Sequence, residues 1–235
     1  MNKQLENLLK FNLEDILKVA FQPIYSLEGE VKSFEVLSRF YNKENDLIST
    51  IKVINFLEKL DIIHQLDFLI LKKIEKYLKK GKKIAINISP LTILMDEFIE
   101  KINLLKCDLS NLEIELTERG NLDYEKLIIR VNQLHKLGIK VAIDDFPIEN
   151  SSLETLLKTK INKVKIDRSL LNNIDCPLGK ETYRGIVALL KTMKHEITTE
   201  GIETKEQFDF IKEIGVDFIQ GYYIGEPILE NELLF

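Results

Sequence analysis

Short runs of apolar and β-branched residues recur along the chain, and nearly every one ends on a polar or ionisable group. The runs are Ala20–Leu27, Lys32–Phe40, Lys83–Ile88, Leu112–Leu116, Lys140–Ile143, Lys163–Ile166, His195–Thr199 and Phe218–Ile224. Each reads as a buried strand. Most are separated by stretches with apolar residues at three- and four-residue spacing, among them Ile51–Leu78, Tyr124–Leu137, Lys180–Met193 and Lys205–Ile214, which predict helices. Strand and helix in alternation predict a parallel sheet. The join Ser26-Leu27-Glu28-Gly29-Glu30 leaves no room for a crossover helix, so the first two strands are expected to pair antiparallel.

The polar strand ends decide between an open sheet and a closed one. They are Glu35, Asn87, Glu115 with Glu118, Asp144 with Asp145, Lys165 with Asp167, Glu200 with Glu203, and Gln220. An open doubly wound sheet gathers its ligand groups at one switch point, whereas a barrel turns all its strand ends toward a common mouth. No glycine-rich phosphate loop follows any of the strands. The expectation is an α/β fold, a modified TIM (β/α)8 barrel with the first strand antiparallel, with residues 1–235 forming one domain. Met1–Lys18 mixes Lys, Glu, Asp and Asn among its leucines, and predicts an amphipathic helix leading into the barrel, a candidate surface for a protein partner.

No apolar run approaches the roughly 20 residues that a membrane span needs. With no secretion signal and only Cys107 and Cys176, without the spacing of a zinc knuckle or disulfide framework, a cytoplasmic setting is expected. The net charge of −5 gives no general attraction to DNA or RNA. The locally basic stretch Lys72–Lys83 lacks interleaved aromatics, so it reads as a solvated helix face and not as a nucleic-acid platform.

Taken singly, each strand-end group has an ordinary explanation: Asp144-Asp145 as a helix cap, Glu118 in a turn, Lys165 in a surface ion pair. Together they make a chemical problem. Glu35, Glu115, Asp144, Asp145 and Glu200, with Glu203 as a further member, would share one mouth with only Lys165 and Arg39 to offset them. Carboxylates held that close raise one another's pKa and destabilise the fold. Divalent cations remove the conflict. Hard oxygen donors, the amide oxygen of Asn87 and histidines as scattered as His64, His135 and His195 point to Mg²⁺ or Mn²⁺. Two such ions, about 3.5–4 Å apart, stabilise the attacking and leaving oxygens of an in-line displacement at phosphorus. Phosphodiester hydrolysis is the matching reaction class, with a lysine to activate water or stabilise charge on phosphoryl oxygens.

The motifs carry a resemblance as well. Phe21-Gln22-Pro23-Ile24, Phe34-Glu35-Val36-Leu37-Ser38-Arg39, Asn87-Ile88-Ser89, Glu115-Leu116-Thr117-Glu118, Asp144-Asp145-Phe146, Lys165-Ile166-Asp167-Arg168, Glu200-Gly201-Ile202-Glu203 and Gln220-Gly221-Tyr222-Tyr223 follow in the order of an EAL domain. The signature Glu-Ala-Leu stands here as Glu35-Val36-Leu37. The resemblance implies a phosphodiesterase that opens cyclic di-GMP to linear pGpG with Mg²⁺ or Mn²⁺, usually as a homodimer. It implies Glu35, Asn87, Glu115, Asp144 and Asp145 as metal ligands, and Glu200 as ligand or general base. Lys165 would position or activate water, Glu203 and Gln220 would support the metal–water network, and Glu118 would anchor a loop. Gln22 and Arg39 would hold the nucleotide, Arg39 through a phosphate.

One departure bears on activity. The family typically continues after Asp-Asp-Phe with a glycine-rich turn, whereas this chain has Pro147-Ile148-Glu149-Asn150. Proline fixes its own φ, removes an N–H and biases the residue before it toward extended conformations. Two other readings therefore stand beside the enzyme: a non-catalytic cyclic di-GMP receptor, and a protein-interaction scaffold that uses the barrel surface. The joint presence of Asn87, Lys165 and Glu203 favours the enzyme.

Overall fold

The computed structural model describes residues 12–116, 123–148 and 153–233. Its strands are β1 (Leu17–Ser26), β2 (Val31–Tyr41), β3 (Leu47–Ile48), β4 (Ile84–Ile88), β5 (Leu112–Leu116), β6 (Lys140–Phe146), β7 (Lys163–Ile166), β8 (Glu196–Thr199), β9 (Phe218–Ile219) and β10 (Ile228–Leu229). Eight of them close the expected barrel in the order β1-β2-β4-β5-β6-β7-β8-β9 and back to β1. Strands β2 and β4 to β9 run parallel around the ring, and β1 is antiparallel to both its neighbours. The β1–β2 hairpin turns at Gly29, whose φ of +88° favours a residue without a Cβ.

Strand β1 is ten residues long, but β9 pairs only with Tyr25 and Ser26. Strand β10 comes back from the C-terminal segment and pairs with Ala20 and Phe21, covering more of an edge that β9 leaves open. The two-residue β3 pairs with the end of β2.

Strand parity sorts the side chains. One face of the parallel strands is aliphatic and fully buried under the helices: Ile84, Ile86 and Ile88 on β4, Ile114 on β5, Val164 and Ile166 on β7. The other face, which includes Glu115 and Lys165, lines the interior. The outer layer is α1 (Thr50–Lys59), α2 (Ile63–Leu78), α3 (Asp96–Asn103), α4 (Tyr124–Lys136), α5 (Leu153–Lys158), α6 (Pro177–Thr192) and α7 (Lys205–Ile214). Helix α7 shows how locally their limits are set: Thr204 and Gln207 form a reciprocal capping box at its start, and Gly215 ends it in the left-handed region. No helix among the described residues is long and apolar enough to cross a membrane.

Three boundaries correct the sequence reading. Met1–Lys18 is not one helix: only Leu13–Ile16 is helical among its described residues, and Leu17 and Lys18 already belong to β1. Ile51–Leu78 is two helices, because the chain reverses at Asp61 with a φ of +56°. The strand predicted to Ile224 stops at Ile219, because the chain there turns to pair with the segment after β8, through Ile202 N–H to Gln220 O and Tyr223 N–H to Ile202 O. Gly221 permits that approach; a Cβ at this position would lie 2.2 Å from the backbone of Ile202.

One polar anchor lies within the apolar stripe of α2. Asp67 is 3% exposed and accepts hydrogen bonds from the backbone N–H of Ser89 and the hydroxyl of Thr92, tying α2 to the segment that follows β4. Burial, against those two hydrogen bonds, pushes its carboxyl up to about 7. The folded protein therefore holds this proton where the unfolded chain has lost it. The resulting stability is complete below the unfolded value near 4 and is lost as pH rises through about 7. From this group alone, the unfolding free energy in urea should fall by about 2–3 kcal/mol between pH 5 and pH 8. Asp67→Asn should remove that part of the slope while keeping the acceptor; an unchanged slope would contradict the assignment.

Candidate active site at the barrel mouth

The carboxyl ends of the strands deliver their inward side chains to one point, and Lys165 on β7 occupies it. Its ammonium lies 2.7 Å from Glu200, 2.8 Å from Glu115, 3.0 Å from Asp144 and 3.1 Å from Glu35. Lys165 is 1% exposed. An ammonium has three protons, so it does not give each of four carboxylates an ideal hydrogen bond. It also leaves three negative charges uncompensated when all four acids are ionised.

The titration of the group follows from that imbalance. Burial pushes the Glu115 and Glu200 carboxyls well above their usual range, with Glu35 adding to the effect at Glu115 and Asp144 at Glu200. Asp144 is raised in the same way. Glu35 goes in the opposite direction. Burial would raise it, but Lys165, Gln220 and Asn87 together hold it below the usual value. Both its oxygens are engaged: Oε1 accepts from Asn87 Nδ2 at 2.8 Å, and Oε2 from Gln220 Nε2 at 2.7 Å and from Lys165. Burial disfavours the charge on Lys165, yet the surrounding carboxylates hold its ammonium well above the ordinary lysine value.

Asp145 reaches the same mouth through a local irregularity. The β6–β7 register shifts between Ile143 and Phe146, and Asp145 sits at a φ of +53°. Such a bulge re-aims a side chain that strict alternation would send into the helix layer. Oxygen atoms of Asp144, Asp145 and Glu200 lie within 4.8 Å of one another, as do those of Glu35, Glu115 and Asp144. These are two oxygen-donor trios that share Asp144.

The donors fit a hard divalent cation. All are oxygens, and the buried Asn87 Oδ1 and Glu115 Oε1 have no hydrogen-bond partner among the described residues. Gln22 is buried beside the mouth, with its amide 3.4 Å from Gly225 O. Arg39 is half-buried, donates to Ser38 O, and faces an adjoining cavity of about 220 Å³. Glu203 stands away from the buried cluster. Its side chain is 54% exposed, with Arg168 3.8 Å away, on the rim of a second cavity of about 270 Å³. Glu118 lies outside the described residues.

Asp67 escaped the sequence reading, and Asp167, Gly201 and Tyr222 stood there only as strand-end or motif residues, without the roles that follow. Asp67 gives only a weak signal, a carboxylate in an apolar helical stripe. Asp167 caps the helical turn Arg168–Leu171 through Ser169 N–H, which accounts for its carboxylate and carries Arg168 to the cavity rim. Gly201 packs against Arg168, where a Cβ would come within 2.3 Å of the arginine Cβ. Tyr222, exposed beside Gln220, lines the same cavity.

The EAL domain family model matches residues 4–227. The chain belongs to the EAL domain family. Among curated proteins it is similar to the probable cyclic di-GMP phosphodiesterase PdeG of Escherichia coli, 30% identical over 229 residues, covering 91% of this chain and 45% of that protein. Cyclic di-GMP phosphodiesterase PdeR of the same organism is 27% identical over 237 residues, 94% of this chain and 35% of the relative. The chain thus spans less than half the length of these relatives. Among solved structures, the PaMucR phosphodiesterase in complex with c-di-GMP superposes with a TM-score of 0.89 at 27% identity, covering 98% of this chain and 100% of that one.

The mouth of this EAL domain depends on its one central cation. Lys165→Met should lower the stability of the metal-free protein by about 3–5 kcal/mol at pH 8, measured by urea unfolding. The loss should be smaller at pH 5, where the raised carboxyls take up protons instead. An equal loss at both pH values would mean that Lys165 contributes packing and not charge.

Proposed function

We propose that the barrel mouth hydrolyses one phosphodiester of cyclic di-GMP to give linear pGpG, with Mg²⁺ or Mn²⁺, most economically two ions, as cofactor. The observation that carries this reading is the convergence of Glu35, Glu115, Asp144 and Glu200 on one ammonium at strand ends of a closed barrel, with Asn87 bound to Glu35 and Asp145 beside Asp144 and Glu200. The family membership and the names of the relatives support the same substrate.

Glu35, Asn87, Glu115 and Asp144 would hold one ion, and Asp144, Asp145 and Glu200 the other. Bound there, the ions supply Lewis acidity at the phosphoryl oxygens and a lowered pKa for water. The protein's own residues do the rest. Lys165, held protonated among the acids, donates to the water or to a phosphoryl oxygen as negative charge grows. Glu200 accepts the proton of the attacking water. The new P–O bond forms as the P–O3′ bond breaks, and O3′ takes up a proton from solvent, leaving a 5′-phosphate on one guanosine and a 3′-hydroxyl on the other. Gln220 and Asn87 fix Glu35, and Glu203 on the rim orders water.

The two cavities meet at Asp144 and Asp145, one on the Arg39 side and one on the Glu200 side. A cyclic dinucleotide has two nucleosides joined by two phosphates, and this arrangement offers a recess to each. Arg39 matches a phosphate, and Gln22 a neighbouring polar edge. Ile148, Leu153 and Leu157, which follow the β6 acids in the chain, are exposed apolar residues of the kind that a second copy of the chain would cover in a homodimer. The Pro147 turn is the feature that favours the alternative of binding without hydrolysis.

Incubation with cyclic di-GMP and Mn²⁺ or Mg²⁺ should yield pGpG by chromatography. Glu35→Ala should lower kcat by about a hundredfold or more. Arg39→Ala should chiefly raise KM. Binding by calorimetry without product would establish the receptor reading, and neither binding nor turnover the scaffold.

A further inference from the structure

The alternation that sends Glu115 and Lys165 to the mouth also turns Glu113 and Lys163 inward, one step nearer the strand starts. These two form a second ion pair at 2.7 Å, with side chains only 10% and 5% exposed. The proposed reaction makes no use of it. Beside it, at the end of the barrel where the strands begin, opens a cavity of about 380 Å³. That volume is within the roughly 300–1,000 Å³ span of small-molecule sites.

The walls of this floor cavity are basic. Lys32, Lys83, Lys140 and Lys163 line it, against Glu113 and Glu196. Lys163 is paired with Glu113 and lies over the ring of Phe218, 4.7 Å from its centroid. Lys140 is paired with Glu196 at 2.8 Å, and Lys32 with Glu30. The ammonium of Lys83 has no partner among the described residues. Each paired ammonium still has a proton to offer, since one carboxylate does not use all three. The strand-start end of a barrel ordinarily serves stability, for which apolar filling is the cheaper solution; a buried ion pair carries a desolvation cost. A cavity that concentrates four lysines around such a pair is built to attract negative charge.

We propose that the barrel floor is a second ligand site, separate from the mouth, which takes a small multivalent anion bearing phosphate or carboxylate groups between Lys32, Lys83, Lys140 and Lys163. The proposal is independent of the reaction at the mouth. It is tested on the metal-free protein by calorimetry with inorganic pyrophosphate and, as a second arm, citrate, against sodium chloride at matched ionic strength. Saturable one-to-one binding is expected for at least one of them, weakening as salt rises. Combined Lys83→Met and Lys140→Met, two surface changes that leave the buried pair intact, should weaken it about tenfold or more, while Arg39→Ala leaves it unchanged. The bound anion should also protect Lys83 and Lys140, but not the exposed Lys80, from acetylation read by mass spectrometry. The tighter arm names the anion class. Absence of saturable binding in both arms, or binding lost in Arg39→Ala and kept in the double lysine variant, overturns the proposal.

Discussion

A single ammonium among four carboxylates is an arrangement that water would never favour, and the rest of the barrel can be understood as the frame that holds it. Each of Glu35, Glu115, Asp144 and Glu200 sits on or directly after a different strand, and all approach Lys165 within 3.1 Å. Repulsion between acids at such distances is several kcal/mol in a poorly screened interior. Side chains on loops would swing apart to relieve it. Here every strand is fixed by ladders on both sides, so the acids relieve the repulsion by retaining protons, by sharing Lys165, or by taking up cations.

The stability that permits this lies in the outward face of the same strands. Ile86, Ile114, Val164 and Ile166 are wholly buried beneath the helices, and their burial is set by the same two-residue period that aims Asn87, Glu115 and Lys165 inward. Shifting any one strand by a residue would put carboxylates under a helix and isoleucines in the mouth. Site and core thus enforce one register. The antiparallel β1 completes the ring, and its pairing of Gln22 with Glu35 places the Gln22 backbone next to the first acid.

Much of this was legible because it rests on local periodicity. The alternation of short apolar runs with helical stretches pointed to the parallel sheet, the polar groups spread over its strand ends to a closed barrel, and the short Glu28-Gly29 join to the antiparallel strand. The polar residues were legible as strand ends, but their common partner was not: nothing local shows that Lys165 would sit at the centre and not on the rim. Long-range placement also hid Asp67, whose partners Ser89 and Thr92 are 22 and 25 residues away. Strand β10 was missed because two residues carry no period. Glu113 and Lys163 were in plain view as the alternate partners of Glu115 and Lys165, but attention to strand ends passes over strand starts.

The turn after Asp145 shows how far a missing glycine matters. The unusual backbone angle falls on Asp145 itself, and aspartate tolerates the left-handed region better than most residues. The next bond that fixes the turn runs from Ile148 N–H to Asp145 O at 2.7 Å, and Asp167 N–H binds Phe146 O at 3.0 Å. Neither needs an N–H from Pro147, which has none to give. Phe146 remains the last residue of β6, in the extended conformation that a following proline favours. The position of Asp144 and Asp145 is therefore held by the β6–β7 ladder and by a turn compatible with proline. Within the described residues, then, the departure from a glycine-rich sequence leaves the two acids of β6 in place.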